Sequence, residues 1–359
     1  MSLRIRWDYD WGLLALALLL SLFGLFVLSS AAPDAGFVVR QSVWLLIGLV
    51  AAASLQVFSK VRLFRLVPWL YLLSLVLLAL VLVFGREVNG ARAWFAFGPL
   101  RFQPSEFAKL ALILMLARVL ARRPLVRLVD YPYPLLVAAL PVLLTAAEPD
   151  LGGAMVMAAT AAGVFFVRGL PWRHLAAAAL AAVALFPTVI WPRLLPHQKE
   201  RILTALNPTR DPLGSGFQVI QSMIAVGSGG LTGKGYGQGT QSQLGFVPFR
   251  HTDFIFAVVA EEMGLVGGLA LLLAYALLFW RLVSLALSLP FLEDRLVVAG
   301  VFAMIAFQVL VNVGVTLGVA PVTGITLPFV SYGGTSLVTL LLAVGLVELV
   351  YRDRLERVL

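Results

Sequence analysis

The stretch from Trp11 to Ser30 reads WGLLALALLLSLFGLFVLSS and contains no charged residue. A helix rises about 1.5 Å per residue, so about 20 apolar residues cross the roughly 30 Å hydrocarbon core of a bilayer. Asp10 lies directly before the stretch and no small-residue cleavage motif follows it, unlike in a secretory signal peptide. The stretch therefore predicts a retained membrane-spanning helix.

The composition extends this conclusion to the whole chain. Of its 359 residues, 61% are hydrophobic and 13% are charged, whereas soluble domains are about 45–50% apolar and about 25% charged. A soluble protein is excluded, and the absence of cysteine excludes disulfides and thiolate catalysis. We predict an all-α, polytopic integral membrane protein, a single domain over residues 1–359 with about ten transmembrane helices. The predicted spans are Trp11–Ser30, Val38–Val57, Val67–Phe84, Ser105–Leu120, Tyr133–Ala147, Leu151–Phe166, Leu175–Ile190, Asp253–Leu285, Leu296–Leu317 and Ser331–Val350.

The basic residues indicate the orientation of these spans. An even number of spans places both termini on one side, and most Lys and Arg residues lie in the termini and short loops of that side. The short loops of the opposite side contain only Arg40, Arg86, Arg92 and Arg101. Because short cytoplasmic loops collect Lys and Arg, we expect both termini in the cytoplasm. The net charge of +9 is mainly a signal of this orientation.

The segment 192–252 interrupts the apolar pattern and predicts one long extracytoplasmic loop. It is rich in Gly, Gln, Ser and Thr, and its glycine-rich part, 227–245, does not suit a regular helix. Such a segment is either a plain surface loop or a backbone that approaches a phosphate closely. The triplet Gly233-Lys234-Gly235 has no Ser or Thr after its Lys and thus lacks the nucleotide-binding pattern.

Charged residues within spans are informative, because each costs roughly 2.5–3.5 kcal/mol at the bilayer centre. Glu106 and Lys109 are three residues apart on one helix face, close enough to pair. They form either a structural ion pair or the floor of a depression on the outer side. Glu148 and Asp150 flank Pro149 in a tight outer turn, where Asp150 can serve as a helix N-cap.

The eighth span contains three more carboxylates. Asp253 lies at its outer water boundary, Glu261 lies loosely on the same helix side, and Glu262 points nearly opposite to Asp253. At least one of the two glutamates must face protein or water rather than lipid. Farther along, Gln308 and Asn312 share one face, and the Gly- and Pro-rich segment 318–329 predicts a re-entrant outer segment that folds back into the protein.

The polar residues thus converge on the outer half of the molecule. A carboxylate with Arg201, Lys234 and Arg250, beside Trp94, could bind an anionic head group and accept a proton. No ATP reaches the outer face, so a polymerising reaction there must use a donor that carries its own leaving group. A lipid-linked diphosphate is the donor that fits this requirement.

The same residues resemble the shape, elongation, division and sporulation (SEDS) family. The resemblance covers the chain nearly end to end and is closer to the rod-shape branch than to the division branch, with Arg250 before His-Thr-Asp and Ala260-Glu261-Glu262 after it. The motifs that carry it lie at 102–110, 148–152, 221–222, 227–231, 233–235, 251–257, 260–262, 321–324 and 327–334.

The resemblance implies a peptidoglycan glycosyltransferase that polymerises lipid II on the outer face of the cytoplasmic membrane for cell elongation. It implies a class B penicillin-binding protein and the elongation machinery as partners, and no nucleic acid. The essential carboxylate of the family corresponds to Asp253, expected to be the general base, and its outer basic residues correspond to Arg201 and Lys234. The further candidates are Arg250, Trp94, Gln221 and Ser331 for substrate binding, Glu106 and Lys109 as the site pair, and Asp150 and Glu261.

Two points stay open at the level of sequence. A divalent cation, Mg²⁺ or Mn²⁺, could assist the reaction, but its ligands are unknown, and Phe249 stands where many relatives have a Glu. The alternatives in function are a flippase for the lipid-linked precursor, a division-type polymerase, a structural scaffold and a ligase of another polyprenyl-linked glycan. A flippase is disfavoured because the inner halves of nearly all spans are plainly apolar and no inverted repeat is visible.

Overall fold

The computed structural model describes residues 9–32, 34–88, 91–97, 100–122, 125, 128–208 and 215–355. The chain is mainly helical, and each of the ten predicted spans coincides with a helix. The helices are α1 (Trp11–Ala31), α2 (Gly36–Leu55), α3 (Lys60–Phe84), α4 (Pro104–Arg122), α5 (Pro132–Ala147), α6 (Leu151–Arg168), α7 (Trp172–Leu185), α8 (Trp191–Arg193), α9 (Pro196–Leu206), α10 (Ser215–Ser228), α11 (Thr240–Gln243), α12 (Ile255–Ser288), α13 (Leu292–Thr316) and α14 (Gly334–Arg352).

Within the described part of the chain, 7 helices are long and apolar enough to cross a membrane, namely α1, α2, α3, α6, α12, α13 and α14. The other three predicted spans are less regular. Helix α4 carries Glu106 and Lys109 in its first turns, α5 has 16 residues, and α7 continues into a π-helical turn at Phe186–Ile190. The chain is therefore a multi-pass membrane protein, as predicted.

Helix starts in this chain follow from local side chains. Asp10 accepts a hydrogen bond from the amide of Leu13, and Ser59 accepts one from the amide of Arg62, at the starts of α1 and α3. Asp150 accepts from the amide of Gly153 and caps α6, which confirms the N-cap interpretation of that residue. Such caps satisfy amide groups that lack a partner within the helix.

A small antiparallel sheet lies between α3 and α4, with strands β1 (Arg86–Val88), β2 (Ala91–Phe97) and β3 (Leu100–Phe102) in that order. Arg86 lies opposite Trp94 and Phe95 lies opposite Phe102. The prediction of an all-α chain did not include this sheet, because two of its strands have 3 residues each. Runs that short give no readable alternation of apolar and polar residues.

The segment 192–252 is more ordered than its prediction as a long loop suggested. Helices α8, α9, α10 and α11 lie within it or begin it, and α10 packs against α9, α11, α12 and α13. The glycine-rich part between α10 and α11 is irregular, as predicted. This segment therefore forms a helical layer over one end of the membrane helices.

The opposite end of the helices is held together by ion pairs whose carboxylates are buried. Asp10 pairs with Arg281, and its amide donates to the Glu348 carboxylate at 2.8 Å. Lys60 pairs with Asp294 at 2.8 Å, and both side chains are fully buried. The Lys60 amide also donates to the Asp353 carboxylate at 2.9 Å, so the starts of α1, α3 and α13 lie at the C-terminal end of α14, and both ends of the described chain lie at the same end of the bundle.

The predicted re-entrant segment folds inward at the end of the bundle that carries the segment 192–252. Between α13 and α14 the backbone contains no helix, and Val322, Ile325, Leu327 and Phe329 are buried. Gly24 of α1 permits this approach, since a Cβ atom there would lie 2.8 Å from the Phe329 carbonyl oxygen. Irregular backbone at this depth is tolerated because it is covered by protein.

Candidate active site

Asp253 lies in a turn directly before α12. The Asp253 amide donates to the Phe249 carbonyl at 3.1 Å, and Phe249 has a φ of 51°, so the chain reverses sharply there. The Asp253 side chain retains some exposed surface but is surrounded by protein atoms. Burial raises the pKa of Asp253 to about 6, while the Thr252 hydroxyl and the positive charge of Arg201 lower it. A carboxylate with a pKa near the working pH suits a general base.

Arg201 lies on α9, within the segment 192–252, and its charge acts on Asp253. The same helix contacts the turn between α5 and α6, where Gln198 Nε2 donates to the Pro149 carbonyl at 3.4 Å. Gln198 and Arg201 are three residues apart and therefore lie on one face of α9. This face joins the Asp253 turn to the acidic turn at Glu148 and Asp150.

The re-entrant segment holds the turn that carries Asp253. The Ser331 hydroxyl donates to the Thr252 carbonyl at 2.6 Å and accepts from the Leu327 amide at 2.9 Å. The Tyr332 amide donates to the His251 carbonyl at 2.9 Å. The structure thus places Ser331, a predicted substrate-binding residue, in the scaffold immediately beneath the Asp253 turn.

Asn312 on α13 also fixes this turn. Its Nδ2 atom donates to the Asp253 carbonyl at 2.9 Å and to the Ile325 carbonyl at 2.8 Å. One buried side chain therefore ties α13, the re-entrant segment and the Asp253 turn together. Two backbone carbonyl groups that would otherwise lack partners in the protein interior are satisfied in this way.

The second polar cluster lies at the start of α4. Lys109 Nζ lies 2.8 Å from Glu106 Oε2, with both side chains nearly buried, so the predicted ion pair is present. Gln103 Nε2 donates to Asp150 Oδ2 at 3.1 Å. Burial raises the pKa of Asp150, while its hydrogen bond from Gly153 and the charge of Lys109 lower it. The charges on α4 therefore act on the carboxyl group of Asp150 at the start of α6, although the two lie far apart in the sequence.

Glu148 is fully buried beside this cluster, and neither oxygen of its carboxylate has a hydrogen-bond partner in the protein. Burial, with a smaller contribution from Asp150, raises the pKa of Glu148 from an ordinary value of 4.5 to about 8. The folded protein therefore holds the proton of Glu148 more tightly than the unfolded chain does. The stability contributed by this proton is complete below the unfolded pKa and is lost as the pH rises towards 8.

We expect Glu148→Gln to weaken this pH dependence. Thermal unfolding in detergent should show the wild-type Tm falling between pH 5 and pH 8, and the variant's Tm should change less over the same interval. Glu87→Gln, at an exposed position on β1, serves as the control and should retain the wild-type slope. If Tm changed equally with pH in Glu148→Gln and in the wild type, Glu148 would not be a buried carboxyl group that stays protonated in the folded protein.

Lys234 and Glu261, both predicted site residues, contact each other. Lys234 Nζ lies 2.7 Å from Glu261 Oε1 and also donates to the hydroxyl groups of Ser228 and Thr240 at 2.7 and 2.8 Å. The three N–H groups of the ammonium thus all have acceptors within the protein. A role of Lys234 in binding diphosphate would require it to exchange at least one of these partners.

Arg250 is bound to its surroundings in a similar way. Its Nε donates to the Ala31 carbonyl at 2.7 Å, and its guanidinium also donates to the Ser242 carbonyl. Arg250 therefore connects the end of α1 and the end of α11 to the start of the Asp253 turn. Glu262, on the face of α12 away from Asp253, accepts hydrogen bonds from Ser30 and Gln243 and is buried as well.

The remaining candidates lie farther from these contacts. Trp94 is half-buried on β2, and β2 packs against α3 and α4. Gln221 is half-buried on α10, next to Ser222, whose hydroxyl donates to the Thr316 carbonyl at 2.9 Å. The structure therefore brings Asp253, Arg201, Arg250 and Ser331 into one region and Glu106, Lys109 and Asp150 into another, with α9 between them.

A cavity of about 270 Å³ lies beside the second cluster, between α2, α4 and α14. Its walls are almost entirely apolar, and Arg101 is the charged residue among those that line it. Phe107 and Leu110, which form part of its wall, alternate along α4 with Glu106 and Lys109. The start of α4 therefore separates a polar cluster from an apolar cavity. The lining residues are Trp44, Arg101, Phe102, Phe107, Leu110, Thr335, Val338, Thr339 and Leu342.

Comparison with known proteins assigns the chain to a family. The family model that is described as cell cycle protein and is named for FtsW, RodA and SpoVE matches residues 10–355. The chain belongs to the FtsW/RodA/SpoVE family. The peptidoglycan glycosyltransferase MrdB of Escherichia coli K12 is 41% identical over 344 residues, which cover 95% of this chain and 93% of MrdB.

Solved structures of the FtsW/RodA/SpoVE family have the same fold. The crystal structure of the Thermus thermophilus rod shape determining protein RodA is 46% identical, with a TM-score of 0.77, and the match covers 97% of this chain and 98% of that one. A second structure is described as the structural coordination of polymerization and crosslinking by a peptidoglycan synthase complex. It is 53% identical with a TM-score of 0.86, and the match covers 97% of this chain and 99% of that one.

Metal binding was left open by the family resemblance. Among the residues that the structure describes, no group of three His, Cys, Asp or Glu side chains is placed to hold a metal ion. Phe249 adds no carboxylate to the Asp253 turn. The protein side chains described therefore do not fit a metal ion held by the protein alone.

Sequence reasoning did not identify Gln41 as a site residue, and it did not foresee the contacts of Asn312. Gln41 Nε2 donates to the Ser331 carbonyl at 3.1 Å, and its Oε1 accepts from the Gly333 amide at 3.2 Å. A polar residue in a lipid-exposed stretch of α2 is a detectable signal, because burial in lipid without a partner is costly. Its partner, 290 positions away, was not detectable.

Proposed function

We propose that this chain is a peptidoglycan glycosyltransferase that polymerises lipid II into glycan strands. The observation that carries the proposal is the Asp253 turn. A carboxylate whose pKa is raised by burial to about 6 lies close enough to Arg201 for the charge of that residue to lower the pKa, on a backbone held by Asn312 and Ser331. A base with a cation in its electrostatic environment suits transfer from a diphosphate donor.

In the proposed reaction, the Asp253 carboxylate removes the proton from the 4-hydroxyl group of the acceptor GlcNAc. The resulting oxygen attacks the anomeric carbon of the donor, and the bond from that carbon to the diphosphate breaks. Undecaprenyl diphosphate leaves with the bonding electron pair. One base suffices, because a single displacement converts an α-linked donor into a β-linked product without a covalent intermediate.

Arg201 is the proposed binder of the departing diphosphate. Arginine donates in a planar fork that matches phosphate oxygens, and a preorganised cation stabilises the charge that develops on the leaving group. Because Arg201 also lowers the pKa of Asp253, it favours the ionised base before the reaction. A divalent cation, if the reaction uses one, would be held largely by the diphosphate itself.

The apolar cavity beside α4 supports a lipid-linked substrate. A polyprenyl diphosphate needs a polar region for its head group and an apolar region for its chain, and α4 presents Glu106 and Lys109 to one and Phe107 and Leu110 to the other. We propose that the Glu106–Lys109 pair forms a wall of the head-group site. The chemistry would then take place at Asp253.

We further propose that the site faces the outside of the cytoplasmic membrane and that a class B penicillin-binding protein cross-links the product during cell elongation. The arginine distribution supports this orientation, since the end of the bundle with the ion pairs Asp10–Arg281 and Lys60–Asp294 also carries both ends of the described chain. The likeness to a structure described in terms of polymerization and crosslinking supports the partner.

Transport of the precursor receives no comparable support. A path across the membrane would need polar groups available at both ends of the bundle. At the end opposite Asp253, the charged groups Asp10, Arg281, Lys60 and Asp294 are paired with one another. These four charged groups are therefore bound to one another rather than available to a substrate.

The proposal is tested by incubating the purified chain with lipid II, with and without a class B penicillin-binding protein, and separating the products on a gel. We expect glycan strands, in larger amount with the partner. In parallel, liposomes with a fluorescent precursor report its movement across the bilayer. Movement of the precursor without glycan strands would support the flippase alternative and contradict the proposal.

The role of Arg201 can be tested through the pH profile of the same reaction. The rate should fall with decreasing pH as Asp253 takes up a proton near pH 6. Because the charge of Arg201 lowers the pKa of Asp253, Arg201→Met should move this fall to higher pH as well as reduce the rate. Lys199→Met, on the same helix, should leave the position of the fall unchanged, and an unmoved fall in Arg201→Met would contradict the assignment.

A further inference from the structure

Glu261 has an unusually complete set of partners for a carboxylate within a membrane helix. Its side chain is fully buried, and its Oε1 accepts from Lys234 Nζ at 2.7 Å and from the Gln241 amide at 2.8 Å. Its Oε2 accepts from the Ser242 amide at 2.9 Å and from the Ser242 hydroxyl at 2.6 Å. The Thr240 hydroxyl donates to Oε1 as well, at 3.4 Å, so five donors from two parts of the segment 192–252 converge on one side chain.

The backbone around Glu261 holds the glycine-rich part of the segment just as closely. A Cβ atom on Gly229 would lie 1.9 Å from the Ala260 carbonyl oxygen, and one on Gly233 would lie 2.1 Å from the Glu262 carbonyl oxygen. Only glycine permits such an approach. The glycine-rich part therefore packs directly against the first turns of α12. The Glu261 side chain binds α11, which follows the glycine-rich part in the chain.

A short chain of contacts leads from Glu261 to Asp253. The Ser242 backbone, whose amide binds Glu261, accepts a hydrogen bond at its carbonyl from Arg250. Arg250 is itself anchored to Ala31 at 2.7 Å and begins the turn whose fourth residue is Asp253. A displacement of Ser242 would therefore act directly on the residue that opens this turn.

We infer that Glu261 is a positioning residue: it holds α11 through Ser242 and Lys234, and thereby sets the placement of the Asp253 turn. The inference rests on the proposed function, in which Asp253 is the base. Lys234 is part of the same set of contacts, because the three N–H groups of its ammonium donate to Ser228, Thr240 and Glu261. The first contribution of Lys234 is then to neutralise Glu261 rather than to bind diphosphate.

Two substitutions separate these roles. Glu261→Gln replaces one acceptor oxygen by an NH₂ group that faces donors, so it cannot accept from Gln241, Ser242 and Lys234 together. Lys234→Met removes one donor and leaves the amide and hydroxyl contacts of Glu261 in place. If Glu261 positions the turn, Glu261→Gln is the more damaging change. If Lys234 binds the diphosphate directly, Lys234→Met is at least as damaging and acts on KM.

The kinetic test is polymerisation of lipid II by the full chain. We expect Glu261→Gln to lower kcat by about 10²-fold, as misplacement of a reacting group does, with little change in KM. Lys234→Met should lose about tenfold less in kcat. Glu348→Gln, a buried carboxylate that accepts from the Asp10 amide at the other end of the bundle, is the matched control and should keep wild-type kcat. A loss in Lys234→Met equal to that in Glu261→Gln, or an equal loss in Glu348→Gln, would overturn the inference.

A second measurement does not depend on activity. The chain contains no cysteine, so spin labels can be attached at Leu244→Cys and Val319→Cys, both at exposed positions just beyond α11 and in the re-entrant segment. We expect a narrow distribution of distances between the labels in the otherwise unchanged chain and with Glu348→Gln, and a broad distribution with Glu261→Gln. A narrow distribution with Glu261→Gln would overturn the inference. Absence of glycan strands from the unsubstituted chain would instead count against the proposed function, and the label distances would still decide the role of Glu261.

Discussion

Asp253→Asn is expected to abolish polymerisation of lipid II while the protein still folds. The amide has the shape of the carboxylate but cannot accept a proton, and removal of a general base costs about 10²–10⁴-fold in rate. The turn should survive, because Asn312 and Phe249 contact only the backbone of Asp253. Glycan strands made from purified lipid II, quantified on a gel, provide the measurement.

The control for this experiment is Asp34→Asn, at the same end of the bundle. Asp34 is exposed, and its Oδ2 lies 3.8 Å from Arg40 Nη2. The same chemical change at this position should therefore leave the rate of polymerisation within experimental error of the wild type. Elution from a sizing column and thermal unfolding should show that Asp253→Asn is folded. Full activity of folded Asp253→Asn would rule out Asp253 as the base and leave a structural role for the turn.

Lys109→Met is expected to have the second-largest effect, on both stability and activity. It leaves the Glu106 carboxylate nearly buried without its cation, and loss of one partner of a buried ion pair costs about 3–5 kcal/mol. It also removes the positive charge that lowers the pKa of Asp150. Thermal unfolding in detergent and the rate of glycan synthesis are the two readouts.

Exchange of Glu106 and Lys109 shows whether the two residues act as an ion pair or each has its own role at the site. Glu106→Lys combined with Lys109→Glu restores opposite charges three residues apart and should recover part of the stability and activity lost in Lys109→Met. Arg40→Met is the matched control, because the exposed Arg40–Asp34 pair should contribute only about 0–1 kcal/mol. No recovery in the exchanged protein would indicate that Glu106 and Lys109 act separately at the site.

The membrane helices could be predicted because their signal is local. A run of about 20 apolar residues has few alternatives to a spanning helix, since lipid offers the backbone no hydrogen-bond partners. The three-stranded sheet and the helices α9 and α10 were missed for the opposite reason. Their short or amphipathic segments are stabilised by contacts with other parts of the chain rather than by composition alone.

The site was predictable only in part. The Glu106–Lys109 pair and the N-cap at Asp150 follow from spacings of three residues within one helix turn. The pairing of Lys234 with Glu261 spans 27 positions, and Asn312 reaches the Asp253 carbonyl across 59. No sequence periodicity predicts contacts between residues this far apart. A charged residue that could bind a substrate, judged from the sequence, can therefore already be paired with another side chain in the folded protein.

The sequence by itself determined that this chain crosses the membrane about ten times, that its termini share one side, and that a few polar residues gather on the other. These conclusions follow from the free-energy cost of placing charge and unpaired backbone in lipid, which acts on every short segment separately. The tertiary structure decided which carboxylates are buried and paired, and it placed Asp253 within the electrostatic range of Arg201. Those outcomes depend on distances between segments far apart in the chain, and only the packed helices set such distances.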